Sequence, residues 1–225
     1  MTQKRYVVVV AAGSGKRMGA PLPKQFIPIN GEPLLMHTLR RLHGFDAGMN
    51  ILLVLNADYV SYWKECVSKH TFSIAHTIIE GGEERFHSVK CALQTIDDFS
   101  AVVAIHDGVR PFVGKETFQR CFEGAEKSGS AVPVIPVNDS MREISESGNR
   151  AADRSMFRIV QTPQCFQMKI LHEAFQQEYT SVFTDDASVV EAAGYSIQLV
   201  EGNRENIKVT TQEDLRWAEW MLQQH

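Results

Sequence analysis

Three glycines and three cations crowd one short stretch near the start of the chain, AAGSGKRMGAPLPKQF. Gly13 and Gly15 carry no Cβ, so backbone N–H groups there can close on oxyanions. Lys16, Arg17 and Lys24 bring positive charge to the same stretch. A loop lined with donors and cations suits a polyphosphate. Two familiar phosphate loops fail the test. The dinucleotide fingerprint G-x-G-x-x-G needs its third glycine one place before Gly19, and an acid where Asn56 ends the second apolar run. The Walker A loop needs Ser or Thr where Arg17 stands and a glycine where Val10 stands. The stretch reads as a phosphate-binding loop of neither kind, and the failed fingerprint argues against an NAD-dependent oxidoreductase.

Other chemistry-bearing clusters are EGGEER and HDGVRP, each following an apolar run, and Lys208 between Ile207 and Val209. No Ser-His-Asp or Cys-His arrangement is apparent. The eight histidines show no metal-ligand spacing, and none of Cys66, Cys91, Cys121 and Cys165 forms a CxxC pair. The cysteines read as reduced core thiols of a cytoplasmic protein.

These residues need elements to hold them. Short apolar runs at residues 6–10, 51–55, 75–79, 101–106 and 131–137 predict strands buried on both faces. Amphipathic stretches at 32–42, 57–70, 85–96 and 115–128 predict helices between them. Further helices are expected at 169–178, 186–193 and 212–222, and strands at 196–200 and 207–209. Strand alternating with helix predicts right-handed crossovers and a mostly parallel sheet. Ligands of such sheets bind beyond the carboxyl ends of the strands. The loops after Val10, Ile79 and Ile105 therefore face one crevice.

Residues 138–158 break the rhythm. They are polar, with a turn signal at Ser147-Gly148-Asn149 and apolar residues at Met141, Ile144, Met156 and Phe157. The stretch is either a disordered loop or a two-stranded arm, and an arm would need a partner surface, because a lone hairpin is marginal in water. The 225 residues suit one domain. A net charge of −4 argues against sequence-independent nucleic-acid binding. No apolar run approaches the roughly 20 residues of a membrane span. The first residues lead straight into a strand-like run, which predicts no secretory leader.

AAGSGKRMG followed by PKQF resembles the sugar-phosphate nucleotidyltransferase superfamily. EGGEERFHSV, HDGVRPF, DRSMFRIVQTPQCF, TDDASVVEAAG and VEGNRENIKVT extend the likeness to the 2-C-methyl-D-erythritol 4-phosphate cytidylyltransferase family, over nearly the whole chain. The resemblance implies a Rossmann-like three-layer α/β sandwich, mostly parallel in its central sheet, with a protruding β-arm at 138–158. It implies transfer of a cytidylyl group from CTP to methylerythritol 4-phosphate with Mg²⁺ or another divalent cation. Pyrophosphate is released, in non-mevalonate isoprenoid biosynthesis. The nearest rival it leaves is a ribitol or other pentitol 5-phosphate cytidylyltransferase.

Carried over residue by residue, Ala11, Ala12, Gly13, Gly15 and Lys16 fall on the nucleotide loop. Arg17 and Lys24 match the cations that stabilise the transition state. Gly81, Gly82 and Ser88 match the cytosine side. Asp107 either helps hold Mg²⁺ or accepts from substrate hydroxyls. Arg110, Arg154 and Lys208 match contacts to the sugar phosphate. Ser140 stands where many members have Thr, and Thr162 and Thr184 shape the pocket floor. The family's arm crosses to a second subunit, so Ser140 and Arg154 are expected to serve a neighbour's site in a homodimer.

Overall fold

The computed structural model describes residues 3–13 and 22–224. The chain runs β1 (Arg5–Ala11), β2 (Pro28–Ile29), β3 (Glu32–Pro33), α1 (Leu34–Phe45), β4 (Asn50–Leu55), α2 (Val60–Lys69), β5 (Thr77–Glu80) and α3 (Arg85–Leu93). It continues with β6 (Val102–Asp107), α4 (Lys115–Ser128), β7 (Ser130–Pro136), β8 (Met141–Ser145), β9 (Gly148–Ala152), β10 (Arg158–Val160) and β11 (Gln164–Gln167). The last elements are α5 (Met168–Ala174), α6 (Asp186–Ala192), β12 (Leu199–Glu201) and α7 (Gln212–Gln223).

The central sheet has eight strands in the order β10-β7-β11-β6-β1-β4-β5, with β12 also paired to β7. β1 lies parallel to β4 and to β6, and β4 parallel to β5. β10 and β11 run against the rest, pairing antiparallel with β7, and β11 also with β6. The sequence pattern missed both. β10 is too short and exposed to show a period, and QTPQCF carries a proline beside polar residues, which reads as a turn.

The valine run of β1 is apolar throughout because both faces are covered. Val7, Val9 and Ala11 pack into one layer with Leu35 and Leu39 of α1, Trp63 of α2 and Phe118 and Phe122 of α4. Val8 packs into the opposite layer with Phe86 and Val89 of α3, Leu171 of α5 and Val190 of α6. Period-two alternation in a strand makes this division. A smaller cluster joins Leu215 and Ala218 of α7 to Val109, Phe112 and Val209 beyond the strand tips.

Two expectations need correction. Residues 207–209 form no strand. They have no regular secondary structure and are tied to the segment after β6, with the Val209 N–H donating to the Val109 carbonyl at 3.0 Å. The strand expected at 196–200 shifts to Leu199–Glu201, where its partner β7 lies. Between the alternatives for residues 138–158, the structure has a two-stranded sheet, β8 paired with β9.

Candidate active site

The three glycine-rich or charged loops converge as the strand order requires. Ala11, Ala12 and Gly13 at the end of β1, Gly82 and Arg85 around the start of α3, and Asp107 at the tip of β6 line one cavity of about 200 Å³. Lys24, Ser88 and Lys208 line it too. A second cavity of about 280 Å³ opens beside it, lined by Arg110, Thr162, Thr184 and Asp185. Arg85, Asp107 and Lys208 line both cavities.

Asp107 is the junction. It is 6% exposed. Its Oδ2 accepts from Arg110 Nε at 3.2 Å and lies 3.1 Å from Lys208 Nζ, while Oδ1 lies 3.7 Å from Arg85 Nε. Burial pushes its carboxyl up, but Arg85, Lys208 and Arg110 together outweigh burial and hold it well below the usual carboxylate range. The Asp107 N–H donates to Thr162 Oγ1 at 3.1 Å.

His106, one residue before, is fully buried. Its Nε2 lies 3.0 Å from the Arg110 carbonyl, which can only accept, so Nε2 carries the hydrogen. Nδ1 then accepts from the Thr162 hydroxyl at 3.0 Å. Burial pulls its pKa down to about 4, so the ring is neutral near pH 7.

Arg85 is anchored from behind. Two parallel hydrogen bonds of 2.7 Å join it to the Asp186 carboxylate, which is 1% exposed at the start of α6. Burial opposes the guanidinium charge, and Asp186, Asp107 and Asp185 overcome it and push its pKa up. Asp185 caps α6 with a reciprocal capping box and also accepts from Gln164 Nε2 at 2.8 Å.

Gly81 and Gly82 are required by close approach. A Cβ on Gly81 would stand 2.7 Å from Ala12 Cβ and 2.8 Å from Ser88 Oγ, and one on Gly82 would stand 2.4 Å from His87 Cβ. Ser88 is 2% exposed, with its hydroxyl 3.4 Å from the Gly82 carbonyl. The second cavity rests on polar residues that the sequence reading did not single out. Asn206 Nδ2 donates to the Thr162 carbonyl at 2.7 Å, and the Asn206 carbonyl accepts from Arg110 at 2.8 Å. Gln161 donates to the Asn203 carbonyl at 2.8 Å. Their signal was present in QTPQ and NRENIKVT, but neutral amides inside a loop look like ordinary turn residues.

Gly15, Lys16 and Arg17 lie outside the described residues. Ser140 and Arg154 are exposed and line neither cavity of their own chain, and Arg154 donates to the Asn138 carbonyl. Around them Ile144, Met156, Phe157 and Ile159 are all close to half exposed or more.

Among the described residues no group of three or more His, Cys, Asp or Glu side chains could hold a metal ion. Magnesium needs less. It is commonly held by one or two carboxylates, with substrate phosphates and water completing its shell. Asp107 offers one such carboxylate oxygen: Oδ2 is taken by Arg110 and Lys208, and Oδ1 stands too far from Arg85 Nε for a hydrogen bond.

The model of the 2-C-methyl-D-erythritol 4-phosphate cytidylyltransferase family matches residues 6–224. The chain is 50% identical to the Bacteroides fragilis protein of that name over 218 residues, covering 97% of this chain and 99% of that protein. It is 47% identical to the Phocaeicola vulgatus protein of the same name, again over 97% and 99% of the two chains. Among solved structures, the cytidylyltransferase of that name from Thermus thermophilus superposes with a TM-score of 0.78 at 31% identity, covering 99% of this chain and 100% of that one.

Proposed function

The chain belongs to the 2-C-methyl-D-erythritol 4-phosphate cytidylyltransferase family, and from that premise we infer how its two cavities divide the reaction. The enzyme transfers a cytidylyl group from CTP to 2-C-methyl-D-erythritol 4-phosphate, giving CDP-methylerythritol and pyrophosphate in isoprenoid biosynthesis. CTP occupies the cavity beside Ala11–Gly13, Gly82 and Ser88, and the sugar phosphate the cavity beside Arg110, Thr162 and Thr184. The observation that carries this reading is the shared wall: Arg85, Asp107 and Lys208 face both cavities, where an attacking phosphate meets the α-phosphorus.

The nucleophile is a phosphate oxygen, already anionic near neutral pH because its second pKa is about 6. No general base is required, and His106, beside Asp107, has both nitrogens engaged. The difficulty is anion meeting anion. Fixed cations offset the charge that builds on the five-coordinate phosphorus and its leaving pyrophosphate. Lys24 lines the nucleotide cavity, and the family motif gives Arg17 the same role. Lys208 and Arg110 hold the incoming phosphate. Asp107 would hold a magnesium ion, which supplies further charge neutralisation to the triphosphate when bound.

The same reading places Ser140 and Arg154 in a partner's site across a homodimer. What supports it is the apolar surface around the hairpin, where Ile144 is 75% and Met156 79% exposed. The four free thiols support a cytoplasmic location, and no helix among the described residues is long and apolar enough to cross a membrane.

Pyrophosphate release from CTP tests the function directly. Methylerythritol 4-phosphate is expected to sustain turnover and ribitol 5-phosphate to sustain little. Equal turnover of the two would overturn the assignment of the second substrate.

A further inference from the structure

The motif PKQF contains a residue that the reaction as described does not use. Gln25 follows Lys24 and is 3% exposed. Its amide Nε2 donates to the Ala11 carbonyl at 2.7 Å and to the Gly13 carbonyl at 3.1 Å. An amide nitrogen has two hydrogens, and both are used. Ala11 and Gly13 stand where the chain leaves β1 for the nucleotide loop, and Lys24 stands where it returns. One side chain thus closes that loop at its base.

The return is held from the other side as well. Residues 24–26 form a single 3-10 turn, with the Phe26 N–H donating to the Pro23 carbonyl at 2.9 Å. Phe26 is 1% exposed and sits among Tyr59, Tyr62 and Trp63, with ring centroids 5.6, 5.3 and 6.3 Å away. Lys24 is therefore carried on a turn clamped at its next two residues, one by hydrogen bonds and one by aromatic packing. The chemistry also selects Gln over Glu. A carboxylate at this place would set negative charge against two carbonyl oxygens and could donate to neither.

We propose that Gln25 is a positioning residue for cytidylyl transfer: its buried amide ties the two ends of the nucleotide loop together and so sets where Lys24 presents its ammonium. The proposal rests on the reading of Lys24 as a transition-state cation. A small displacement of a group that acts on developing charge lowers kcat more than it weakens ground-state binding.

Steady-state pyrophosphate release with CTP and methylerythritol 4-phosphate tests it in four proteins: wild type, Lys24→Ala, Gln25→Met and the double variant. Met keeps the length and removes both donors. Gln25→Met is expected to lower kcat about fivefold or more, as loss of about one kcal/mol or more of transition-state placement would. On the Lys24→Ala background the same change is expected to cost little further, because the group it positions is gone. Losses that multiply would overturn the proposal, and so would a Gln25→Met enzyme with wild-type kcat. If Lys24→Ala itself turns over normally, the reading of Lys24 fails first and is seen to fail separately. Should Gln25→Met not fold, Gln25→Glu serves. Its kcat relative to wild type is expected to recover as pH falls from about 8 to about 6, where a buried carboxyl regains its proton and one donor. A ratio flat with pH would overturn the proposal.

Discussion

Lys208 Nζ lies 3.1 Å from Asp107 Oδ2, at the carboxylate that both cavities share, yet its side chain is 45% exposed. The ammonium is aimed by Asp107 and remains open to an incoming phosphate. Lys208→Ala is expected to lower kcat/KM for methylerythritol 4-phosphate by about ten- to a hundredfold, the range of a charge-assisted hydrogen bond, through both a raised KM and a lowered kcat. KM for CTP should move far less. Initial rates with each substrate varied check this, and equal weakening toward both would mark a structural role.

Gly81→Ala tests the nucleotide side. The added methyl would overlap Ala12 Cβ and Ser88 Oγ, so the loop before α3 must retreat from the loop after β1. The expected result is a CTP KM raised about tenfold or more, with KM for methylerythritol 4-phosphate nearly unchanged. A variant with normal CTP KM would show that neither loop reads the nucleotide.

The parts of this arrangement that were legible in the sequence are those governed by local pattern. The apolar run of β1 and the amphipathic α4 declare themselves, and the rule that ligands sit beyond parallel strand ends brought Gly13, Gly82 and Asp107 to one crevice. What was hidden is non-local. Gln25, Asp186 and Asn206 matter through partners distant in the chain, such as Arg85 for Asp186, and no spacing announces such a pairing. Lys208 was read on a strand because Ile-Lys-Val alternates, whereas the segment is tied down by the Val209 N–H on the Val109 carbonyl and by Lys208 on Asp107 rather than by a strand ladder.

If the hairpin of β8 and β9 reaches across a two-fold axis, each site draws on both chains. Mixing the inactive variants Lys24→Ala and Arg154→Ala under subunit exchange would then give dimers with one intact site. Activity is expected to rise toward about a quarter of wild type under random exchange. No recovery on mixing, or a monomer by light scattering at assay concentration, would sink the shared site.

His37 gives a pH signature unrelated to catalysis. Burial pulls its pKa down from 6.5, against the carbonyl of Ile29, 2.9 Å away, and the charge of Glu32. The unfolded chain therefore binds more protons than the folded one as pH falls through the histidine range. Stability from this group is fully present above the unfolded pKa and is lost as pH drops below it. Urea unfolding at about pH 7.5 and about pH 5.5 should show a larger loss for wild type than for His37→Gln. Equal losses would exclude His37 as the source.

The placement of β11 between β6 and β7 also bears on the order in which the chain can be completed. β6 is buried along its whole length, yet one of its edges is paired only by residues 164–167, far later in the chain. During synthesis from the N-terminus, that edge stays uncovered until those residues emerge. β7 cannot cover it, because its place in the sheet is one strand further out. Asp107, at the end of this edge, gains Asp186 behind Arg85 and then Lys208 later still. A chain arrested before residue 160 would carry an apolar, unpaired strand edge, the kind that pairs with other chains.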